Sequence, residues 1–278
     1  MSSIDELLAG SVSENSLTLQ ETFQGLPGMA HGGSVLAAFD ALARRHAAPV
    51  PREVFGAYRR KVPLSTSLPL EVRNAGAGSE FRLSDGGRLL VDGWVRPGPG
   101  PATHLDLPGD LSGGSPLPVS NRCFACGVQN ALGLQVALRV DEGRVWTEYL
   151  PRSPFRTADG HLATAALTTL LDETAFWLGA LASGESGMTT EIRVALHRGP
   201  VRFGEPLIVV GKREQVTQRS GDPRYWETET AVLTTEGEPL ATGRITFVAV
   251  RGAAKRLITG MLSINPPEVV RRVFPTHV

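Results

Sequence analysis

FRTADGHLATAALTTLLDETAFWLGALAS, Phe155 to Ser183, is the stretch that decides the fold. A Gly-containing turn runs into a predicted helix over Ala163–Ala182 that carries only two charges, Asp172 and Glu173, side by side at its middle. A helix that is apolar on nearly every face is usually buried, and carboxylates are rarely buried unless paired or employed. The length would suit a membrane span, but two mid-helix acids and four threonines weigh against one. The reading is a central helix wrapped by the rest of its own domain.

The same element occurs earlier, in shorter form, as FQGLPGMAHGGSVLAAFDALARRH over Phe23–His46. A shift of 132 residues lays Phe23 on Phe155, Gly28 on Gly160, Asp40 on Asp172 and Ala43 on Ala175. The matches continue downstream at slowly growing offsets. Pro63, Pro69 and Leu70 fall on Pro200, Pro206 and Leu207, then Gly87, Leu90 and Gly93 on Gly237, Leu240 and Gly243. Order is kept and the offset only grows, as loop insertions in a second copy would make it. The chain reads as an internal duplication.

Each copy is predicted as a strand, a helix and several antiparallel strands. In the first, helix residues Val35, Leu36, Phe39, Leu42 and Ala43 share a face with Asp40 at its edge, and strands follow over 55–62, 68–73, 80–83 and 89–95. In the second, a hairpin at 136–150 precedes the helix, and strands are expected at 189–196, 207–216, 225–234 and 241–250. The organisation is a polar leader at 1–15, a unit at 16–96, a Pro/Gly-rich linker at 97–119, a second unit at 120–250 and a tail at 251–278.

The 278 residues suit two domains of ordinary size. Formal net charge is zero, which gives no global pull toward nucleic acid or an anionic membrane. The N-terminus is polar and acidic rather than basic then apolar, so a cytoplasmic location is expected. Two cysteines are too few for a disulfide scaffold. Cys123-x-x-Cys126 lacks the second Cys pair or His spacing of a closed zinc site, so no metal is expected. No Walker loop, dinucleotide fingerprint or serine elbow is present.

Two features carry chemistry. His31-Gly32-Gly33 opens the first helix, where glycines permit close approach and free N–H groups attract developing negative charge. The plainer reading is a tight corner. Asp40 and Asp172 sit at the same place in the two copies, on mostly apolar helices whose desolvation would raise a carboxyl pKa and make a base or nucleophile. Here the plainer reading is a structural acid, paired with an arginine or capping a loop.

With these residues in view, the chain resembles the hotdog-fold acyl-CoA thioesterases of the phenylacetate-degradation type. GLPGMAHGG (25–33) with Asp40 matches that family's glycine-rich turn and helix acid, CFACGVQNALGL (123–134) its lead-in, and PVRFGEPLIV (200–209) its later strand. The resemblance implies an α+β double hotdog, two long antiparallel sheets joined edge to edge, each around a central helix. It implies hydrolysis of an acyl-CoA thioester at composite sites, with CoA as part of the substrate and no other cofactor. One site would join Gly32 to Asp172, with Glu173 one step round the helix, and the other would join Thr164 to Asp40. His31, Gly33 and Gln24 would contact substrate, and Arg60 or Arg198 the CoA phosphates. In the second copy Ala163-Thr164-Ala165 replaces the HGG run, so the Gly32–Asp172 site is expected to carry the chemistry. A non-catalytic acyl-CoA or acyl-carrier binding module is the alternative. A third reading is a hotdog hydratase or dehydratase, but resemblance to those implies an Asp/His pair or a Phe-Pro-Gly turn ahead of a helix acid, a pairing the sequence does not display. The chain is expected as a monomer acting as a pseudo-dimer, or as a homodimer of double units, without nucleic-acid or membrane partners.

Overall fold

The computed structural model describes residues 3–13, 15–45, 50–98, 111 and 113–277. Helix α1 (Ile4–Gly10) starts on a Ser3/Glu6 capping box, and α2 spans Gly32–Arg45. Helix α3 (Thr164–Ser183) ends at Gly184, whose φ of 67° is the left-handed C-terminal turn that glycine adopts freely. Helices α4 (Ala254–Met261) and α5 (Pro267–Val273) make up the tail. No helix among the described residues is long and apolar enough to cross a membrane.

The strands form one continuous antiparallel sheet with the same order read outward in both directions from its middle. On one side lie Arg52–Tyr58, Arg88–Pro97, Gly78–Asp85, Leu68–Ala75 and Ser16–Leu17. On the other lie Gly187–Leu196, Pro239–Ala249, Tyr225–Leu233, Leu207–Lys212 and Arg144–Tyr149. The halves meet where Arg52–Tyr58 pairs with Gly187–Leu196, in a register running from Leu196 opposite Arg52 to Glu191 opposite Ala57. This is the double hotdog architecture.

The repeated positions do the same backbone work in each half. Gly28 and Gly160 both take positive φ, 74° and 83°, in the turn ahead of the helix. His31 N donates to Phe23 O at 2.8 Å, and Ala163 N donates to Phe155 O at the same distance. The ring of Phe124 packs between the two equivalent phenylalanines, 5.0 Å from Phe23 and 5.7 Å from Phe155. The lead-in segment of the second unit therefore seals the seam between the units.

Strand boundaries move modestly from their sequence expectations. The first unit opens with strand only at Ser16–Leu17 and turns 3-10 at Glu21–Phe23, while the strand expected at 207–216 breaks into a 3-10 turn at Arg213–Gln215. In the leader, Ile4 and Leu8 are buried, with α1 packed on α2. The linker stretches 99–110 and 112 lie outside the described residues. The tail packs down, burying Ala254, Ile258, Met261, Val270, Val273 and Phe274.

Asp40 shows how a central-helix acid can serve the fold alone. It is fully buried, with Arg52 Nε and Nη2 donating to its two oxygens at 2.6 and 2.9 Å and Arg44 Nε forming an ion pair at 3.4 Å. Arg52 stands on the strand at the joint between halves, so this pair ties α2 to the seam. Removing one partner of a buried pair strands the other charge. Arg52→Met is expected to cost about 3–5 kcal/mol in urea unfolding. A loss below about 1 kcal/mol would show that Arg44 alone satisfies Asp40.

Candidate active site

The start of α2 lies against the middle of α3. Their approach is close because Gly33 has no side chain: a Cβ there would stand 2.6 Å from Thr169 Cα and 2.7 Å from Thr168 O. Thr168 Oγ1 donates to Gly33 O at 2.8 Å across the same contact. Gly32 is equally constrained, since a Cβ would meet Asp172 Oδ2 at 2.7 Å and Ile192 Cδ1 at 2.9 Å. The glycines of the HGG run thus admit the protein's own helix and carboxylate to the backbone.

Asp172 is held by groups from both halves. Gly33 N donates to Oδ2 at 2.9 Å, His31 Nδ1 lies 3.2 Å from the same oxygen, and Thr189 Oγ1 donates to Oδ1 at 2.7 Å. The other ring nitrogen of His31 faces Glu173 Oε2 at 3.4 Å, and Trp177 Nε1 donates to Glu173 Oε1 at 2.9 Å. Cys123 Sγ lies 4.0 Å from Glu173 Oε2. Tyr58 completes the shell, its hydroxyl donating to Gly32 O at 2.6 Å.

All these side chains line a cavity of about 550 Å³. Its floor is apolar or aromatic, with Trp177 and Met261 buried and Phe176 half-buried. Its exposed rim includes Arg59, Arg60 and Lys61. The tail contributes Leu257 and Met261 to the wall.

The charges settle each other. Burial alone would lower the His31 pKa, but Asp172, the hydrogen bond to Glu173 and the neighbouring Cys123 and Glu173 charges outweigh it, and it is pushed up to about 9. The ring is therefore an imidazolium at neutral pH, bridging two carboxylates. Burial pushes the Asp172 carboxyl up against the opposing pull of His31, Thr189 and Gly33. Burial and then Asp172 push the Tyr58 phenol well up, so it remains a donor. A hydrogen bond from Cys126 lowers the Cys123 thiol, and the Cys126 thiol is raised in turn.

Of the residues singled out from sequence, His31, Gly32, Gly33, Asp172 and Glu173 come together here, and Arg60 stands at the rim. Asp40 does not take part, being enclosed by Arg52 and Arg44. Thr164 starts α3 without lining this cavity. Gln24 sits beside it, its carbonyl accepting from Phe124 N and its Oε1 from Gly28 N at 3.4 Å. Arg198 is paired with Glu238 at 2.7 Å and does not line the cavity. It follows the far end of the strand Gly187–Leu196, and a strand advances about 3.3 Å per residue, which carries Arg198 well away from Thr189. The sequence displayed no Asp/His pair, yet His31 and Asp172 form one across the two halves. Thr189, Tyr58 and Cys123 were not singled out for the site. Only Cys123 carried a signal, the Cys-x-x-Cys-Gly lead-in.

No protein-family description and no curated protein matches this chain. Solved structures do. A conserved protein of unknown function with a hotdog fold from Alicyclobacillus acidocaldarius superposes with TM-score 0.61 at 15% identity, covering 89% of this chain and 97% of that one. The acyl-CoA thioesterase II TesB2 of Mycobacterium marinum gives 0.61 at 16%, covering 89% and 98%. An N-terminal dehydratase from the difficidin assembly line gives 0.53 at 14%, covering 84% and 89%. At such identities the likeness establishes the hotdog fold.

The raised His31 pKa links the site to stability. Its folded value lies above the ordinary 6.5, so its contribution is complete below about pH 6.5 and disappears as pH rises through about 9. With a chelator present, urea unfolding of the wild type should lose up to about 3 kcal/mol across that window, and His31→Gln should flatten the loss. An equally steep loss in His31→Gln would assign it to other groups.

Proposed function

We propose that the chain hydrolyses an acyl-CoA thioester at the cavity between α2 and α3. The observation that carries this reading is the abutment of the His31-Gly32-Gly33 helix start on the buried Asp172 carboxylate inside a cavity with a basic rim. The first N–H groups of a helix have no intrahelical acceptor, and Gly33 N–H is committed to Asp172. Gly32 N–H is the donor left to the thioester oxygen, where negative charge grows as the carbonyl carbon becomes tetrahedral. Asp172 takes the proton of the attacking water; the C–S bond breaks, and the CoA thiolate receives a proton on leaving. A carboxyl pushed up by burial is a stronger base than a solvated one. His31, as an imidazolium, keeps Asp172 and Glu173 in place and limits their repulsion.

CoA phosphates would meet Arg60 and Lys61 at the rim, and the acyl group the Trp177, Phe176 and Met261 wall. The likeness of GLPGMAHGG to the turn of the phenylacetate-degradation type supports a substrate of that kind. The His31–Asp172 pair favours a second reading, dehydration of a 3-hydroxyacyl thioester. A resting imidazolium is a poor base for that elimination, so hydrolysis is preferred. A panel of saturated, aryl and 3-hydroxyacyl-CoA esters separates the two, by free thiol released against conjugated alkene formed.

Asp172→Asn is expected to lower kcat for thiol release by at least about a hundredfold, the range for loss of a general base. Asp40→Asn should leave kcat of the folded fraction near wild type. Full activity in Asp172→Asn would remove the assignment. Arg60→Ala combined with Lys61→Ala should raise KM for acyl-CoA with little change in kcat, and the wild-type KM should climb with salt as exposed phosphate contacts are screened. A KM indifferent to both would place the phosphates elsewhere.

A further inference from the structure

The buried cluster at the cavity wall has more ligating capacity than hydrolysis by Asp172 uses. His31, Cys123 and Glu173 are each nearly inaccessible, and the ring nitrogen, sulfur and carboxylate oxygen they offer all lie within 4.8 Å of one another. The His31 Nε2 to Glu173 Oε2 distance is 3.4 Å, and Cys123 Sγ to the same oxygen is 4.0 Å. A tetrahedral zinc ion with bonds of about 2.0–2.3 Å needs its ligands roughly 3.3–3.7 Å apart. The nitrogen–oxygen edge already has that spacing, and the sulfur–oxygen edge would close by about half an ångström on binding.

The surrounding groups are those a metal site requires. A ligating histidine generally directs its other ring nitrogen at a carboxylate, which fixes tautomer and ring orientation. Here His31 Nδ1 lies 3.2 Å from Asp172 Oδ2, leaving Nε2 toward Glu173 and Cys123. Glu173 is oriented by Trp177 through its other oxygen. Ala125 N donates to Cys123 Sγ at 3.3 Å, a contact that favours a thiolate. All three residues also line the cavity, so a fourth position would face open space.

We propose that His31 Nε2, Cys123 Sγ and Glu173 Oε2 form a three-ligand site for a zinc-class divalent cation, with its fourth position open to the cavity. A thiolate and a carboxylate offset the charge of a dication, which is what makes burying it tolerable. On binding, the Cys123 thiol proton and the His31 Nε2 proton pass to solvent, and no redox change is involved. The Cys-x-x-Cys segment contributes one ligand here rather than two: Cys126 Sγ, bonded to Ser120 Oγ at 3.6 Å and to the Cys123 sulfur, lies outside the cluster of mutually close ligand atoms. The open position is the one a catalytic rather than structural zinc site keeps, and it would accept a water or a carbonyl oxygen. The site stands on the geometry of its three ligands and does not depend on the acyl-CoA reading.

The test uses the full chain without an affinity tag, stripped with chelator and then titrated with zinc chloride, with one equivalent of cobalt(II) as the optical probe. One retained equivalent of zinc, and the sulfur-to-cobalt charge-transfer band with intense tetrahedral visible bands, are expected for the wild type. Cys123→Ser should abolish the charge-transfer band. Cys123→Ser and Glu173→Gln should each weaken zinc by at least about tenfold, the lower end of the losses produced even by outer-shell changes. Cys126→Ser should bind as wild type. Circular dichroism separates lost ligation from lost folding, and the wild-type cobalt spectrum stands without any variant. Absence of the band in the wild type, or zinc binding undiminished in both Cys123→Ser and Glu173→Gln, would overturn the site. Equal loss in Cys126→Ser would overturn the three-ligand set.

Discussion

The antiparallel joint between Arg52–Tyr58 and Gly187–Leu196 is the constraint on which the rest of the structure depends. It fuses two half-sheets into one, and backbone pairing fixes its register without slack. Each joining strand then delivers one group to the site. Tyr58 closes on Gly32 O from the first half, and Thr189 holds Asp172 Oδ1 from the second. At the opposite end of the joint, Arg52 reaches back to Asp40. A slip of one residue would turn every one of these side chains to the other face of the sheet, so site geometry and sheet pairing are a single specification.

The two equivalent acids show how environment rather than position assigns a role. Asp40 and Asp172 occupy matching turns of matching helices. Asp40 meets a bidentate guanidinium, which takes both oxygens and leaves nothing to approach. Asp172 meets a titratable ring, a hydroxyl and a backbone N–H, and it borders a cavity. Permanently charged arginine makes a closed structural pair, whereas histidine makes one whose charge can change. Around Asp172 one imidazole ring stands between two acid side chains, with a nitrogen toward each.

The sequence made the fold legible because its signals were local or repeated. The apolar run with a central acid pair specified α3 within a residue or so, and the shared Gly28 and Gly160 marked turns that require positive φ. The Gly32–Asp172 approach was implied by the family resemblance rather than by any spacing in the chain. What remained hidden were contacts fixed by tertiary pairing alone. The His31–Asp172 pair, Thr189 under Asp172 and Cys123 beside Glu173 join residues far apart in the chain. No spacing rule connects them, because their separation depends on the lengths of intervening loops. Arg198 lies apart from the cavity for the converse reason. Its place in the chain is close to a site strand, but an extended strand carries its two ends to opposite sides of the molecule.

The asymmetry between the halves extends to how the cavity is enclosed. The first half supplies a helix start and a basic rim, while the second supplies the acids, the aromatic floor and a C-terminal extension. Helix α4 of that extension carries its buried side chains on one face, with Ile258 in the core and Leu257 and Met261 on the cavity wall. The tail therefore does more than pack: it sets Leu257 and Met261 into the wall of the cavity that the Asp172–His31–Glu173 cluster borders.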